Sequence, residues 1–126
     1  MVLAVVDDLL FQSKIRSAAE AGHGAVVFVR RRDLVIDAMR THHPSQVILD
    51  LDRDALDPLG LIREIRELPE FATTSLVGFA SHVHGERLQA AREAGCDRVM
   101  ARSGFVTALP GFFAPGGDKA PIGDKT

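Results

Sequence analysis

The sequence has a single cysteine, no tryptophan, no tyrosine and only one run of basic residues, at 30–32. The lone Cys96 cannot form an internal disulfide, which is typical of proteins in a reducing compartment, and its place after a helix-ending glycine predicts a small buried packing residue. No window approaches the ~18 consecutive apolar residues of a membrane span. The formal net charge of −2 and the absence of Trp and Tyr, which could stack on bases, argue against direct nucleic-acid binding. We therefore expect a cytoplasmic protein that contacts neither membrane nor nucleic acid.

The length and apolar content suit one folded domain with an ordinary core. The chain has 126 residues, of which 46% are apolar, so no disulfide staples are needed. The start, MVLAVVDD, has no positively charged region and is too short for a secretory signal. The end, residues 114–126, is rich in Gly, Pro and Lys. We expect a domain over residues 1–113 and a disordered tail over 114–126.

Short β-branched runs alternate with segments of helical period along the whole domain. The runs predict buried strands at 2–6, 25–29, 46–51, 75–80 and 98–101, and the periodic segments predict helices at 11–22, 32–43, 59–68, 85–95 and 104–109. In the second helix Leu34, Ala38 and Met39 are predicted to face inward. Pro110 is predicted to stop or bend the last helix. This alternation predicts an α/β fold, a doubly wound five-stranded parallel sheet with helices on both faces.

Polar side chains follow four of the predicted strands at their carboxyl ends. They are Asp7 and Asp8 after the first strand, Asp50 and Asp52 after the third, Ser81 after the fourth and Arg102 after the fifth. The carboxyl ends of parallel strands share one edge of the sheet, so these side chains should converge there. Two carboxylates ~4 Å apart repel by about 4 kcal/mol at an effective dielectric of ~20. Protonation or a cation such as Mg²⁺, which prefers oxygen ligands, would relieve that repulsion.

Four segments together resemble the receiver domain of two-component response regulators. They read VLAVVDD, PSQVILDLD, GFASHV and AREAGCDRVMAR, and the resemblance covers residues 2–113. It implies the strand order 2-1-3-4-5 and a phosphorelay signalling domain, not an enzyme. By this resemblance Asp50 accepts the phosphoryl group, while Asp7, Asp8, Asp50 and the backbone carbonyl of Asp52 bind Mg²⁺. It also implies a histidine kinase or phosphotransfer protein as one partner. An output protein would dock on the face formed by helix four, strand five and helix five.

The sequence departs from the receiver pattern where that family contacts its phosphoryl group. Ala80 stands where receivers carry Thr or Ser, with Ser81 one place later, and Arg102 followed by Ser103 replaces Lys-Pro. Further departures are Asp54, Pro58 and Val99, where receivers usually carry Pro, Gly and an aromatic residue. Ser81 and Arg102 are accordingly the predicted phosphoryl-sensing residues. The same departures keep open a second hypothesis, a pseudo-receiver that binds partners without phosphorylation.

Other interpretations of the aspartate-rich stretch fit less well. A calcium loop starting at Asp50 needs Gly and Glu where the chain has Ala55 and Leu61. A phosphatase of the haloacid-dehalogenase type would use an Asp-x-Asp pair, but on its first strand, and a small phosphohydrolase stays a minor alternative. The histidines at 42, 43, 82 and 84 have no neighbouring thiol, so surface positions are expected instead of a zinc site.

Overall fold

The computed structural model describes residues 1–113, apart from the side chain of His82, so the predicted tail at 114–126 lies outside the described residues. The strands are β1 (Val2–Val5), β2 (Val26–Val29), β3 (Gln46–Asp50), β4 (Ser75–Ala80) and β5 (Arg98–Ala101). The helices are α1 (Leu9–Ala21), α2 (Val35–His42), α3 (Pro58–Glu67), α4 (Gly85–Ala94) and α5 (Arg102–Phe113). Short 3-10 turns precede α2, α3 and α4.

The five strands form one parallel sheet in the order β2-β1-β3-β4-β5. This confirms the predicted fold class and the strand order that the resemblance implied. Strand residues are apolar at nearly every position because both faces of the sheet are covered. None of the helices in the described part of the chain is long and apolar enough to cross a membrane.

Successive residues of each central strand point into two separate cores. In β1, Leu3 and Val5 pack into the core under α2, α3 and α4, whereas Val2 and Ala4 pack into the core under α1 and α5. The second core contains four close phenylalanine rings, Phe11, Phe79, Phe105 and Phe112. The period of two places Asp50 on the face of the sheet that α1 and α5 cover.

Local signals explain where several helices begin. The Asp8 carboxylate caps α1 by accepting a hydrogen bond from the Phe11 N–H at 3.1 Å. Pro58 occupies the first turn of α3, where its missing N–H has no helical partner to lose. Cys96 is buried, as predicted, and burial raises the pKa of its thiol to about 11.

One prediction about the helices was wrong, and of the two alternatives predicted for Pro110, that it stops or bends the last helix, the stop was wrong. Leu34 is exposed because residues 32–34 form a 3-10 turn, so the inward stripe of α2 starts at Val35 and continues at Met39. Pro110 does not end α5, which continues to Phe113. Phe112 and Phe113 are buried in the second core, and this apolar burial outweighs the hydrogen bond that proline cannot donate.

Candidate functional site

An acidic cavity lies at the carboxyl edge of the sheet, beyond the ends of β1, β3 and β5. Its volume is about 430 Å³. The lining residues are Asp7, Asp8, Asp50, Asp52, Arg53 and Arg102. Four carboxylates and two guanidinium groups therefore share one cavity, which remains acidic by two charges. Five of the six side chains that were predicted to converge at this edge line the cavity, the exception being Ser81.

Asp50 is the most deeply buried carboxylate of the cavity, with 3% of its surface exposed. Its Oδ1 accepts a hydrogen bond from the Asp52 N–H at 3.0 Å, and the Arg102 Nη2 lies 3.3 and 3.4 Å from its two oxygens. Burial raises the pKa of the Asp50 carboxyl above its ordinary value, although the Asp52 amide and the Arg102 charge oppose the rise. Asp50 thus combines burial with access to the cavity.

Arg102 points into the site, a question that the sequence left open. It is the first residue of α5, and its guanidinium carbon lies 4.6 Å from the centre of the Phe11 ring and 5.3 Å from that of Phe79. While its guanidinium packs against these two rings, the Arg102 side chain also contacts both Asp50 and Asp52. A planar guanidinium can bridge two carboxylates in this way, whereas a lysine ammonium offers a single point charge.

The Asp52 side chain has three partners, two in the loop after β4 and one in α5. Its Oδ2 accepts hydrogen bonds from the Ser81 N–H at 2.8 Å and from the Arg102 Nε at 3.2 Å, and its Oδ1 lies 2.8 Å from the His84 Nδ1. Burial pushes the pKa of the Asp52 carboxyl up, but the hydrogen bonds from His84, Ser81 and Arg102 together lower it below its ordinary value. Asp52 is therefore held as an anion.

The two aspartates after β1 are already engaged. The Asp7 carboxylate accepts a hydrogen bond from the Arg53 Nε at 2.8 Å. Asp8 caps α1, as described above. Both nevertheless line the same cavity as Asp50.

Ser81 reaches the site through its backbone. Its N–H binds Asp52, and Ser81 is not among the described residues that line the cavity. Ala80, the residue in the position of the usual hydroxyl, is fully buried at the end of β4.

Arg53 and His84 belong to the site although the sequence analysis did not assign them to it. Arg53 directly follows the predicted Asp-Leu-Asp stretch, and His84 belongs to the loop after β4. Their closeness to the strand ends was visible, but the pairing of Arg53 with Asp7 and of His84 with Asp52 depends on side-chain directions that the sequence pattern does not encode.

The donor set suits a hard divalent cation, since every lining anion is a carboxylate. In the described part of the chain, however, no three His, Cys, Asp or Glu side chains stand together as a ready metal cage. Instead, guanidinium groups neutralise the carboxylates, with Arg53 on Asp7 and Arg102 on Asp50 and Asp52. The lining carboxylates are therefore suitable ligands for a divalent cation, although in this structure three of them pair with arginine.

Solved structures with the same architecture are numerous. A response regulator from Hahella chejuensis matches with a TM-score of 0.79 and 19% identity, covering 89% of this chain and 90% of that one. The fold is that of a receiver domain. The phosphorylated cyanobacterial phytochrome response regulator RcpA matches with a TM-score of 0.76 and 16% identity, over 88% and 89% of the two chains. The Mn²⁺-bound response regulator Rcp1 matches with a TM-score of 0.75 and 12% identity, over 97% of each chain.

These identities are low, so the similarity establishes the receiver fold and nothing finer. No protein-family model matches the chain, and no curated protein sequence matches it.

Proposed function

We propose that the chain is a receiver-type signalling domain that accepts a phosphoryl group on Asp50. The observation that carries this proposal is the placement of Asp50. It ends β3 at the carboxyl edge of a receiver fold, is buried, lines a polar cavity and lies 3.3 Å from the Arg102 guanidinium. A phosphoryl acceptor needs this combination of an accessible nucleophile and a cation for the arriving charge.

The transfer would be a displacement at phosphorus. An oxygen of Asp50 forms the new P–O bond as the P–N bond of a phosphohistidine on the donor protein breaks, and the imidazole nitrogen leaves with the electron pair and takes a proton. Arg102 would bind the equatorial phosphoryl oxygens, since guanidinium groups pair well with phosphate. Asp50 would end as an acyl phosphate, the form that changes the charge of the site.

Mg²⁺ fits this function as the cofactor. Asp7, Asp8, Asp50 and the backbone carbonyl of Asp52 would hold it, and it would supply charge neutralisation between the carboxylates and the phosphoryl oxygens. One neighbour of the same fold is described as Mn²⁺-bound, which supports a divalent cation. Arg53 would have to release Asp7 for that carboxylate to become a ligand.

The partners follow from the same proposal. A histidine kinase or a phosphotransfer protein would supply the phosphoryl group. The output protein would bind the face of α4, β5 and α5, as the resemblance to receivers implies. On that face, the Arg98 guanidinium lies 4.9 Å from the centre of the Phe112 ring.

The test is labelling with acetyl phosphate and Mg²⁺, read out by intact mass. We expect one phosphoryl group on the wild-type chain and none on Asp50→Asn. The matched control is Asp57→Asn, the same change at an exposed aspartate of the following loop, which should label normally. Equal labelling of wild type and Asp50→Asn would refute Asp50 as the acceptor.

A second candidate function is a docking module that works without phosphorylation. The observations that favour it are Ala80 in place of a hydroxyl and the pairing of Arg102 with both Asp50 and Asp52. This candidate predicts that a partner binds wild type and Asp50→Asn with the same affinity, with or without acetyl phosphate. The phosphoacceptor proposal predicts a difference between them.

A further inference from the structure

A continuous chain of polar contacts connects Asp50 with the loop after β4. Arg102 links the two aspartates, because its Nη2 lies 3.3 Å from Asp50 Oδ1 and its Nε donates to Asp52 Oδ2 at 3.2 Å. Asp52 then binds the loop by accepting from the Ser81 N–H at 2.8 Å and contacting the His84 Nδ1 at 2.8 Å. One carboxylate thus joins the acceptor position to both ends of the segment 81–84, which we call the β4–α4 loop.

The residue at the end of β4 cannot make this connection through a side-chain hydroxyl, since position 80 is an alanine with no exposed surface. A second set of hydrogen bonds, made by Arg87, connects the residues after β3 to α4. The Arg87 Nη1 donates to the Leu51 carbonyl at 3.1 Å and to Asp54 Oδ1 at 3.0 Å. The residues after β3 therefore hold both the β4–α4 loop and the first turn of α4, so a displacement of Asp52 acts directly on that region.

We propose that Asp52 is a positioning residue that transmits a change of charge at Asp50, through Arg102, to the β4–α4 loop. The trigger in the cell rests on the proposed phosphoacceptor function. A phosphoryl group on Asp50 brings extra negative charge and strong acceptor oxygens, which compete with Asp52 for the Arg102 guanidinium. Asp52 then loses a cationic partner and faces a like charge, so its contacts with Ser81 and His84 change.

The first experiment changes the charge at Asp50 without phosphorylation. Backbone amide NMR shifts are compared between wild type and Asp50→Asn, and then between Asp52→Asn and the double variant Asp50→Asn/Asp52→Asn. We expect Asp50→Asn to shift the amides of residues 81–84 when Asp52 is present. The same shifts should be lost in the Asp52→Asn background, because the charged link is gone while the backbone carbonyl of residue 52 is retained. Equal loop shifts in both backgrounds would overturn the proposal.

Two further variants separate a relay from a general loosening of the fold. Asp57→Asn makes the same charge change at an exposed residue, and the loop response to Asp50→Asn should survive it. His84→Gln removes a half-exposed partner of Asp52, so it should leave the fold intact. With this variant the response should persist at Ser81 and weaken at residue 84. Loss of the response in Asp57→Asn, or an unchanged response at residue 84 in His84→Gln, would contradict the relay.

The second experiment adds beryllium fluoride and Mg²⁺ as an acyl-phosphate mimic. Shifts at residues 50–52 and 102 report mimic binding, and shifts at 81–84 report transmission. Both proposals are supported if the mimic shifts the amides of both sets in wild type but, in Asp52→Asn, shifts those of residues 50–52 and 102 and leaves those of residues 81–84 unchanged. If wild type shows no shifts at 50–52, the phosphoacceptor proposal fails, while the charge-substitution experiment still decides the relay.

Discussion

The Arg102 guanidinium lies within 3.3–3.4 Å of both oxygens of Asp50, a carboxylate that is only 3% exposed. This contact does not seal the site, because one third of the Arg102 side chain is exposed and both residues line the acidic cavity. Nor does it fully compensate Asp50, since burial still raises the pKa of that carboxyl. A buried anion that is only partly compensated makes the fold less stable, which is characteristic of functional sites.

We predict that Asp50→Asn and Asp52→Asn change stability in opposite directions at neutral pH. The pKa of Asp50 is raised above its ordinary 3.8, so its contribution is fully present below that value and is lost as the pH rises through the folded pKa. The pKa of Asp52 is lowered, so its contribution is present above 3.8 and is lost as the pH falls through the folded pKa. Asp50→Asn should therefore raise the free energy of unfolding at about pH 7 by about 1 kcal/mol, and Asp52→Asn should lower it by a similar amount.

Urea unfolding in metal-free buffer checks this prediction at several pH values between acid and neutral. The advantage of Asp50→Asn over wild type should grow as the pH rises above 3.8. The deficit of Asp52→Asn should shrink as the pH falls below the same value. Each variant is the matched control of the other, since both replace aspartate by asparagine in the same cavity. Parallel pH trends for the two variants would contradict the assigned directions.

We predict that Arg53→Gln tightens Mg²⁺ binding. The Arg53 Nε binds Asp7 at 2.8 Å, so the arginine competes with a cation for that carboxylate and adds a repulsive positive charge. Its removal should improve the Mg²⁺ affinity roughly two- to fivefold, the range of an exposed ion pair. The control is Arg31→Gln, which removes an exposed arginine paired with Asp33 in another loop. Titration followed by amide shifts measures both affinities, and an unchanged affinity for Arg53→Gln would mean that Asp7 is not a ligand.

The fold could be predicted from the sequence because apolar β-branched runs alternate with segments of helical period. Continuous β-branched runs such as 46–51 predicted strands buried on both faces, and the structure confirms five of them in one sheet. The convergence of Asp7, Asp50 and Arg102 followed from the shared edge of parallel strands. What the sequence could not supply was which cation binds which carboxylate. Arg53 and His84 are short-range neighbours of the strand ends, but their partners are chosen by side-chain packing in three dimensions.

The helix errors have the same origin. Pro110 carries a strong local signal for a helix end, yet α5 continues because Phe112 and Phe113 are buried beyond it. Leu34 fits an inward helical stripe only if the helix starts at residue 32, and the 3-10 turn there shifts the phase. In both cases tertiary packing decides against a local propensity, and no single-sequence pattern records that packing.

We predict that Arg66→Met destabilises the fold through lost hydrogen bonds while it keeps most of the apolar stem. The Arg66 Nε donates to the Gly95 carbonyl at 2.9 Å, and its Nη1 donates to the Phe71 carbonyl at 3.3 Å. Arg66 also pairs with Asp97 at 2.5 Å, so one side chain ties α3 to the connection before β5. The free energy of unfolding should fall by about 1–3 kcal/mol. Arg63→Met, at an exposed position of the same helix, should have little effect, and equal losses for both variants would contradict the tethering role.

We predict that Gly22→Ala destabilises the junction between α1 and α5, whereas Gly111→Ala stabilises the chain. A Cβ at position 22 would collide with the carbonyl oxygen of Phe113 and lie 2.9 Å from its Cβ, so the end of α5 would have to move. Such overpacking costs about 1–3 kcal/mol. Outside its own helical turn and chain neighbours, a Cβ at position 111 meets no atom within 4 Å, so alanine there should add about 0.5–1 kcal/mol through helix propensity. Thermal unfolding of both variants measures the difference. If Gly22→Ala and Gly111→Ala change the stability equally, the packing of Phe113 against α1 does not explain why α5 continues beyond Pro110.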